Sequence, residues 1–178
     1  MSQFRITTRY AKALLDLSSE KNALEEVRND AEFIVNTCSE SRDLVIMLQN
    51  PIVYSYKKMA VLKSIFENKI SAMSFKFIEV SVRKNRAGMI EAIFSMFLEH
   101  YKAKHKISDA TLITAVESSD ATQKRTIDLL EGSTGEKIIL SKKVDENLIG
   151  GFKILYKDKL LDASVASKLN ELRKELID

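Results

Sequence analysis

The sequence predicts a mainly α-helical protein, in which an N-terminal six-helix bundle is followed by a small α/β domain. Two observations predict this fold class. Apolar residues recur at helical spacing over roughly the first two thirds of the chain, and after residue 106 the pattern changes to the alternation typical of strands. The change of class predicts one domain at 1–105 and a second at 106–178.

The amino-acid composition argues against several classes of protein, namely disulfide-rich, nucleic-acid-binding and membrane-spanning proteins. Of its 178 residues, 45% are apolar, which is enough for a real core, and a single cysteine, Cys38, excludes an internal disulfide framework. The 28 basic and 25 acidic residues leave a net charge of +3, too mild to indicate nucleic-acid binding. No stretch approaches the roughly 18 consecutive apolar residues of a membrane span. We therefore expect a soluble, cytoplasmic protein with only indirect membrane association.

The first two helices follow from apolar spacing and from capping residues. The first helix carries an apolar stripe spaced i, i+3, i+4 and i+7, and Thr7 or Thr8 is its predicted cap. The stripe consists of Tyr10, Ala13, Leu14 and Leu17. Asn22 begins a sequence that resembles a capping box, so it is the predicted start of the second helix, whose apolar face extends to Cys38.

The next two helices lie on either side of the only proline. A short third helix at 44–48 ends at Asn50-Pro51, because proline disfavours helix in the residue before it. A fourth helix begins after Ser55 and ends near Asn68, a residue type that tolerates the left-handed turn after a helix.

The fifth helix differs from the others because it has two apolar stripes. Ser71 is its predicted cap, one stripe contains Ile78 and Val82, and an adjacent one contains Phe77, Val80 and Lys84. Two apolar stripes imply that this helix packs against two neighbouring elements. The helix breaks at 85–88, and a sixth helix at 90–101 has the cleanest periodicity in the chain.

The C-terminal part has the predicted order β, α, β, β, α. Its strands are predicted at 107–116, 138–140 and 151–156, and a helix between the first two begins at Ser119-Asp120 and ends at Gly132. Ser164 is the predicted cap of the last helix. That helix has an apolar stripe of Val165, Leu169, Leu172 and Leu176.

A glycine pair, Gly150-Gly151, stands where the third strand begins. Glycine costs roughly 0.5–1 kcal/mol relative to alanine in regular structure, so the pair predicts a bulge, a positive φ or a close backbone approach. It does not fit a phosphate loop, because no Gly-Lys-Ser/Thr follows at the required spacing. Asp158 and Asp162 lie beside turn and cap residues, which favours local hydrogen bonds over acid/base catalysis.

Residues that could perform chemistry are nearly absent. The two histidines, His100 and His105, do not share a helical face and are interpreted as surface residues. Nucleophile-elbow, metalloprotease and dinucleotide-binding motifs do not occur. The sequence therefore predicts no catalytic residue, no cofactor and no metal. The mildly basic C-terminal part leaves open a small RNA-binding or adaptor protein, although strand aromatics and a Gly-x-x-Gly loop are missing.

Short motifs along the whole chain carry a family resemblance. They are Arg9-Tyr10-Ala11-Lys12-Ala13-Leu14, Asn50-Pro51 with Lys57-Lys58, Asn85-Arg86, and the segment from Leu140 through Gly150-Gly151 to Asp162-Ala163-Ser164-Val165. In this order the chain resembles the delta subunit of F-type ATP synthase, called the oligomycin-sensitivity-conferring protein in mitochondria. It departs from the family at Thr7-Thr8, where small residues are commoner, at Leu155, and at Lys157, where Gly is frequent.

The resemblance implies a non-catalytic stator subunit that clamps the catalytic head to the peripheral stalk, so that proton-driven rotation is coupled to ATP synthesis. The N-terminal domain would bind N-terminal segments of the alpha subunits, and the C-terminal domain would bind the b-subunit stalk. One copy per complex is expected. With no transit peptide present, the expected location is the cytoplasmic face of the bacterial inner membrane, reached only through the complex.

The resemblance also implies roles for particular residues. A family groove between the first and fifth helices maps here onto Tyr10, Ala13, Leu14, Leu17, Phe77, Val80 and Lys84. Structural roles are expected for Gly150, Gly151, Asp158, Asp162 and Ser164.

Overall fold

The computed structural model describes the backbone of residues 3–115, 120–145, 148 and 150–175. The chain divides into two compact units, Met1–Tyr101 and Lys102–Asp178. The N-terminal unit is helical and the C-terminal unit contains a four-stranded sheet, which confirms the predicted mainly α fold class.

Apolar faces of six helices form the core of the N-terminal unit. The helices are α1 (Gln3–Glu20), α2 (Leu24–Glu40), α3 (Arg42–Gln49), α4 (Ser55–Phe66), α5 (Ala72–Arg83) and α6 (Ile90–Lys104), with a 3-10 turn at Ala87–Met89 before the last. Leu14, Ile34, Leu62, Phe66, Ile78, Phe94 and Phe97 are fully buried. These are the residues that helical periodicity places on the inner faces.

Three of the predicted helix boundaries in the N-terminal unit are wrong, each for a local reason. Helix α1 begins at Gln3, so Thr7 and Thr8 lie inside it and donate their hydroxyls to the carbonyls four residues earlier. Asn22 takes φ +52 and ends α1, because Ala23 N–H bonds the Ser18 carbonyl and Asn22 N–H bonds Ser19. Asn68 does not adopt the left-handed conformation expected after α4. In the C-terminal unit the helix predicted to end at Gly132 continues to Thr134, and Gly135 with φ +65 follows it.

A buried carboxylate from α2 holds the start of α5. Asp30 is 7% exposed, and its Oδ2 accepts hydrogen bonds from Ser71 N–H at 3.0 Å, Ser71 Oγ at 2.5 Å and Ser74 Oγ at 2.6 Å. Ser71 also caps α5 as predicted, accepting from Ser74 N–H at 3.3 Å. The first N–H groups of a helix lack internal partners and carry partial positive charge, so a carboxylate there stabilises the helix. Asp30 thus fastens α5 to α2.

The C-terminal unit is built on a mixed sheet. Its elements are β1 (Ile107–Thr114), α7 (Asp120–Thr134), β2 (Lys137–Val144), β3 (Gly151–Tyr156), β4 (Lys159–Ser164) and α8 (Val165–Glu175). The strand order is β2-β1-β3-β4, with β1 and β2 parallel and the other pairs antiparallel. Ala110, Leu112, Ile138 and Ile154 are buried on one face. The side chains of Leu172 and Leu176 lie outside the described part, as does Val116 of the predicted first strand.

Strand β4 is an element that the sequence analysis does not predict. Four of its six residues, Lys159 to Asp162, are exposed, so it lacks the alternation of a half-buried strand. A two-residue turn, Lys157-Asp158, joins it to β3. Lys157 takes φ +51, the conformation that glycine adopts most easily.

Of the two glycines before β3, Gly151 is the one whose conformation requires glycine. It has φ +82, and a Cβ there would lie 2.4 Å from the Ala163 carbonyl oxygen and 2.8 Å from Ser164 Cα. Among the described residues, a Cβ at Gly150 would meet only Val165 Cγ2, at 3.3 Å. The close approach of β3 to the end of β4 therefore depends on the missing side chain of Gly151.

Polar side chains fix the junction of β4 and α8. Ser164 is buried and its Oγ accepts from Ser167 N–H at 3.3 Å, a helix cap. Asp162 accepts from Ser164 N–H and from Ser167 Oγ, both at 2.8 Å, and Lys153 Nζ lies 3.3 Å away. These hydrogen bonds, those from Ser164 first, hold the pKa of Asp162 well below its usual range.

Glu136 connects three parts of the C-terminal unit. Its carboxylate accepts hydrogen bonds from Lys157 Nζ at 2.9 Å, from the Ser108 hydroxyl, and from the Tyr156 hydroxyl at 2.8 Å. These donors, Lys157 first, lower the pKa of Glu136 to about 2. The carboxylate thereby joins β1, the end of β3 and the β3–β4 turn.

The Asp30 contact predicts a selective loss of stability. Asp30→Ala should lower the free energy of unfolding of the N-terminal unit by about 2–4 kcal/mol, because three buried or partly buried donors lose their acceptor. Urea denaturation of the full chain, followed by circular dichroism, measures this. Asp16→Ala, at an exposed position of α1, is the control and should change stability by no more than about 0.5 kcal/mol. An equal response of the two variants would contradict the account.

The glycine pair predicts an asymmetric response to the same substitution. Gly151→Ala should destabilise the C-terminal unit by more than about 2 kcal/mol, since it combines an unfavourable positive φ with a backbone clash. Gly150→Ala should change stability by less than about 1 kcal/mol. Hydrogen exchange of the β1 and β3 amides in the full chain separates the two. Similar protection in both variants would show that Gly151 is not required.

The Glu136 cluster predicts a pH dependence. Its pKa is lowered from 4.5 to about 2 on folding, so its stabilising contribution is complete above pH about 4.5 and decreases as the pH falls toward 2. The stability difference between wild type and Glu136→Gln should therefore narrow as the pH falls from about 4.5 toward 2, the window set by that shift. Urea titrations across this range measure the difference, and a constant or widening gap would contradict the assignment.

Candidate partner-binding surface

Most of the residues predicted to contact a partner are exposed or half-buried on α1 and α5. We call this set the α1/α5 strip and define it as Tyr10, Ala13 and Leu17 of α1 with Phe77, Val80 and Lys84 of α5. On each helix the spacing of three, four or seven residues keeps these side chains on one side, beside the buried face. The two helices meet where the Tyr10 and Phe77 rings pack edge to face, with their centroids 6.1 Å apart.

The strip leaves apolar side chains open to solvent. Leu17 is 38% and Val80 49% exposed, and Ala13 and Lys84 are also exposed. Tyr10 and Phe77 are half-buried at its centre. A strip with an aromatic centre and exposed aliphatic flanks has the chemistry of a groove that accepts an amphipathic helix.

One residue expected in the groove lies beneath it instead. Leu14 is fully buried and belongs to the core of the N-terminal unit. Phe77 is also supported from below, since its ring packs edge to face on Phe94 of α6 at 5.8 Å. The strip therefore rests on a well-packed core, so its shape is preformed.

Arg86 lies beside the strip, although apolar periodicity does not predict it there. Asn85 takes φ +56 after α5, and the guanidinium carbon of Arg86 lies 4.7 Å from the centre of the Tyr10 ring. An Asn-Arg pair directly after an apolar helical stripe was visible in the sequence, but the aromatic partner, 76 positions earlier in the numbering, was not.

A crevice of about 990 Å³ opens beside Arg86. The start of α1, the end of α3, the start of α4, the end of α5 and the start of α6 line it. Lys58 is buried there and donates to the Leu48 carbonyl at 2.7 Å, so its ammonium group interacts with the C-terminal end of α3.

Other reactive side chains in the described part do not form a site. No group of three His, Cys, Asp or Glu residues among them could hold a metal ion, and none of the described helices is long and apolar enough to cross a membrane. Burial, with a smaller contribution from Glu91, raises the pKa of the Cys38 thiol to about 11, which makes it unreactive. His100 is half-buried, and its Nε2 has no hydrogen-bond partner among the residues described, which differs from the expected surface histidine.

Comparison with known proteins covers nearly the whole chain. A family model described as ATP synthase delta (OSCP) subunit matches residues 6–176. ATP synthase subunit delta of Chlorobaculum tepidum is 33% identical over 177 residues, 99% of this chain and 98% of the relative. That of Cytophaga hutchinsonii is 29% identical over 178 residues, 100% of this chain and 97% of the relative.

A solved structure has the same fold. A chain of the Toxoplasma gondii mitochondrial ATP synthase hexamer matches with a TM-score of 0.70 and 23% identity, over 97% of each chain.

Proposed function

The chain belongs to the ATP synthase delta (OSCP) subunit family, and on that premise we propose how its two units act. It is a stator subunit of an F-type ATP synthase, a structural component of the complex. We infer that it has no catalytic activity of its own and that it clamps the catalytic head to the peripheral stalk. The family match leaves the RNA-binding and adaptor alternatives without support.

Torque explains why such a clamp is needed. A rotor turning inside the head would drag the head with it unless the head were held from outside. A protein that prevents this must bind the head and the stalk at the same time. Two linked contacts raise the effective concentration of each partner, so complete dissociation becomes rarer than for either contact alone.

The observation that carries the proposal is the exposed apolar strip of α1 and α5. We propose that it binds the N-terminal segment of an alpha subunit as an amphipathic helix, with apolar anchors at helical spacing packed on Tyr10, Phe77 and Val80. Leu17 and Val80 are exposed in the free chain, and packing against these anchors would bury them. A nanomolar contact of this kind corresponds to about 12 kcal/mol.

The C-terminal unit is the part that we propose contacts the peripheral stalk. We propose that it binds the b subunit, that one copy serves each complex, and that the chain lies at the cytoplasmic face of the bacterial inner membrane as a peripheral subunit. Relatives from Chlorobaculum and Cytophaga support the bacterial setting. The family membership supports attachment to the membrane through the complex.

Substitution in the strip tests the alpha-subunit contact. Tyr10→Asp should weaken binding of a synthetic alpha N-terminal peptide at least tenfold, because it places a charge in the apolar centre and removes the ring. Isothermal titration calorimetry with the full chain measures this. Val80→Asp should have a similar effect and leaves the Tyr10–Phe77–Phe94 packing in place.

The matched control is Tyr56→Asp on α4, an exposed tyrosine outside the strip. It should bind the peptide like wild type. Wild-type affinity in both strip variants, with native helicity by circular dichroism, would refute the assignment of the strip.

A further inference from the structure

We propose that Arg86 is the anion-recognition point of the α1/α5 strip, and that it pairs with a carboxylate carried by the docked alpha segment. This rests on the proposed function and adds to it a specific chemical requirement on the partner. The partner helix must bring an acidic side chain to the end of the strip where α1 starts and α5 ends.

The backbone around Arg86 is fixed before any partner arrives. Arg86 N–H donates to the Ser81 carbonyl at 2.9 Å and Asn85 N–H to the Val82 carbonyl at 2.9 Å. With Asn85 at φ +56, these two bonds form a Schellman motif. The Ser55 hydroxyl also donates to Asn85 Oδ1 at 3.1 Å, which ties the motif to the start of α4.

The side chain is equally well placed. Its guanidinium lies over the face of the Tyr10 ring, the ring at the centre of the strip. The guanidinium carries several N–H donors, and their planar arrangement matches the geometry of a carboxylate. Arg86 therefore places hydrogen-bond donors next to the apolar side chains of the strip.

No described carboxylate lies within ion-pair distance of Arg86. The contrast with Arg83, one turn earlier, is direct: its Nη2 lies 2.6 Å from Glu79 Oε1. Arg83 is largely exposed and paired, whereas Arg86 is half-buried. The described contact of the Arg86 guanidinium is the Tyr10 ring, so its charge is available to pair with a carboxylate of a partner.

Helix α1 and the residue after α5 add further basic side chains. Helix α1 carries Arg5, Arg9 and Lys12 and no acidic residue before Asp16, and Lys84 is exposed at the end of α5. None of these four cations has a described ion pair. Glu91 is the one carboxylate among the residues that line the neighbouring crevice. This end of the strip complements an acidic segment, which would raise its association rate and fix its orientation.

The test uses the full chain and a synthetic peptide of about the first 25 residues of the alpha subunit from the same organism, a length that spans several helical turns. Arg86→Gln should weaken binding about tenfold at low salt, since a charge-assisted hydrogen bond is lost. Arg86→Lys should recover part of the affinity, because the charge remains and the planar fork does not. Arg83→Gln is the matched control and should bind like wild type.

A double-mutant cycle separates recognition from support of the Tyr10 ring. Each acidic residue of the peptide is changed in turn to its amide and titrated against wild type and Arg86→Gln. One of these peptide substitutions should lower the affinity for wild type about tenfold. The same substitution should lower the affinity for Arg86→Gln less than about twofold, because that variant already lacks the ion pair. If the changes in binding free energy caused by Arg86→Gln and by the peptide substitution are additive at every acidic position, the proposal is overturned.

The outcomes also separate this proposal from the function it rests on. Loss of binding in Tyr10→Asp together with full affinity in Arg86→Gln would leave the strip in place and overturn the carboxylate contact. A wild-type chain that does not bind the peptide would overturn both.

Discussion

The carboxylate of Asp30 at the start of α5 is the interaction on which the partner-binding surface depends. It is buried and accepts three hydrogen bonds of 2.5–3.0 Å. It joins two helices whose contacting residues are 41 and 44 positions apart. Apolar packing alone leaves a helix free to rotate or slide, because the hydrophobic effect has no direction. A charge-assisted cap fixes the start of α5, and the start sets where Phe77, Val80 and Arg86 emerge.

A series of aromatic contacts between the core and the surface supports the α1/α5 strip. Phe94 supports Phe77, Phe77 meets Tyr10, and Tyr10 lies under Arg86. A clamp that resists torque should be stiff at its contact surfaces, since a surface that must order itself on binding loses affinity to conformational entropy. The C-terminal unit achieves rigidity differently, through a close backbone approach at Gly151 and the carboxylates Glu136 and Asp162.

Periodicity and capping residues were enough to predict the six N-terminal helices, the Ser71 and Ser164 caps and the change of class near residue 106. Long-range polar contacts were not predictable, since nothing local marks Asp30 as the partner of Ser71. Asparagine proved ambiguous because it both caps helix starts and tolerates positive φ: Asn22 ends a helix where a start was expected. Strand β4 was missed because an exposed edge strand has no apolar alternation. Of the seven residues expected in the groove, six are exposed or half-buried and Leu14 is fully buried, so helical spacing indicated their exposure for all but one. The contact of Arg86 with Tyr10 is visible only in the folded structure.

The central claim is that this chain holds the catalytic head against the torque of the rotor. The most direct measurement is proton-driven ATP synthesis by the complex reconstituted into vesicles with and without the chain. Without it, the account predicts loss of coupled synthesis while the head still hydrolyses ATP, and adding the chain back should restore coupling. Full proton-coupled synthesis in its absence would contradict the claim.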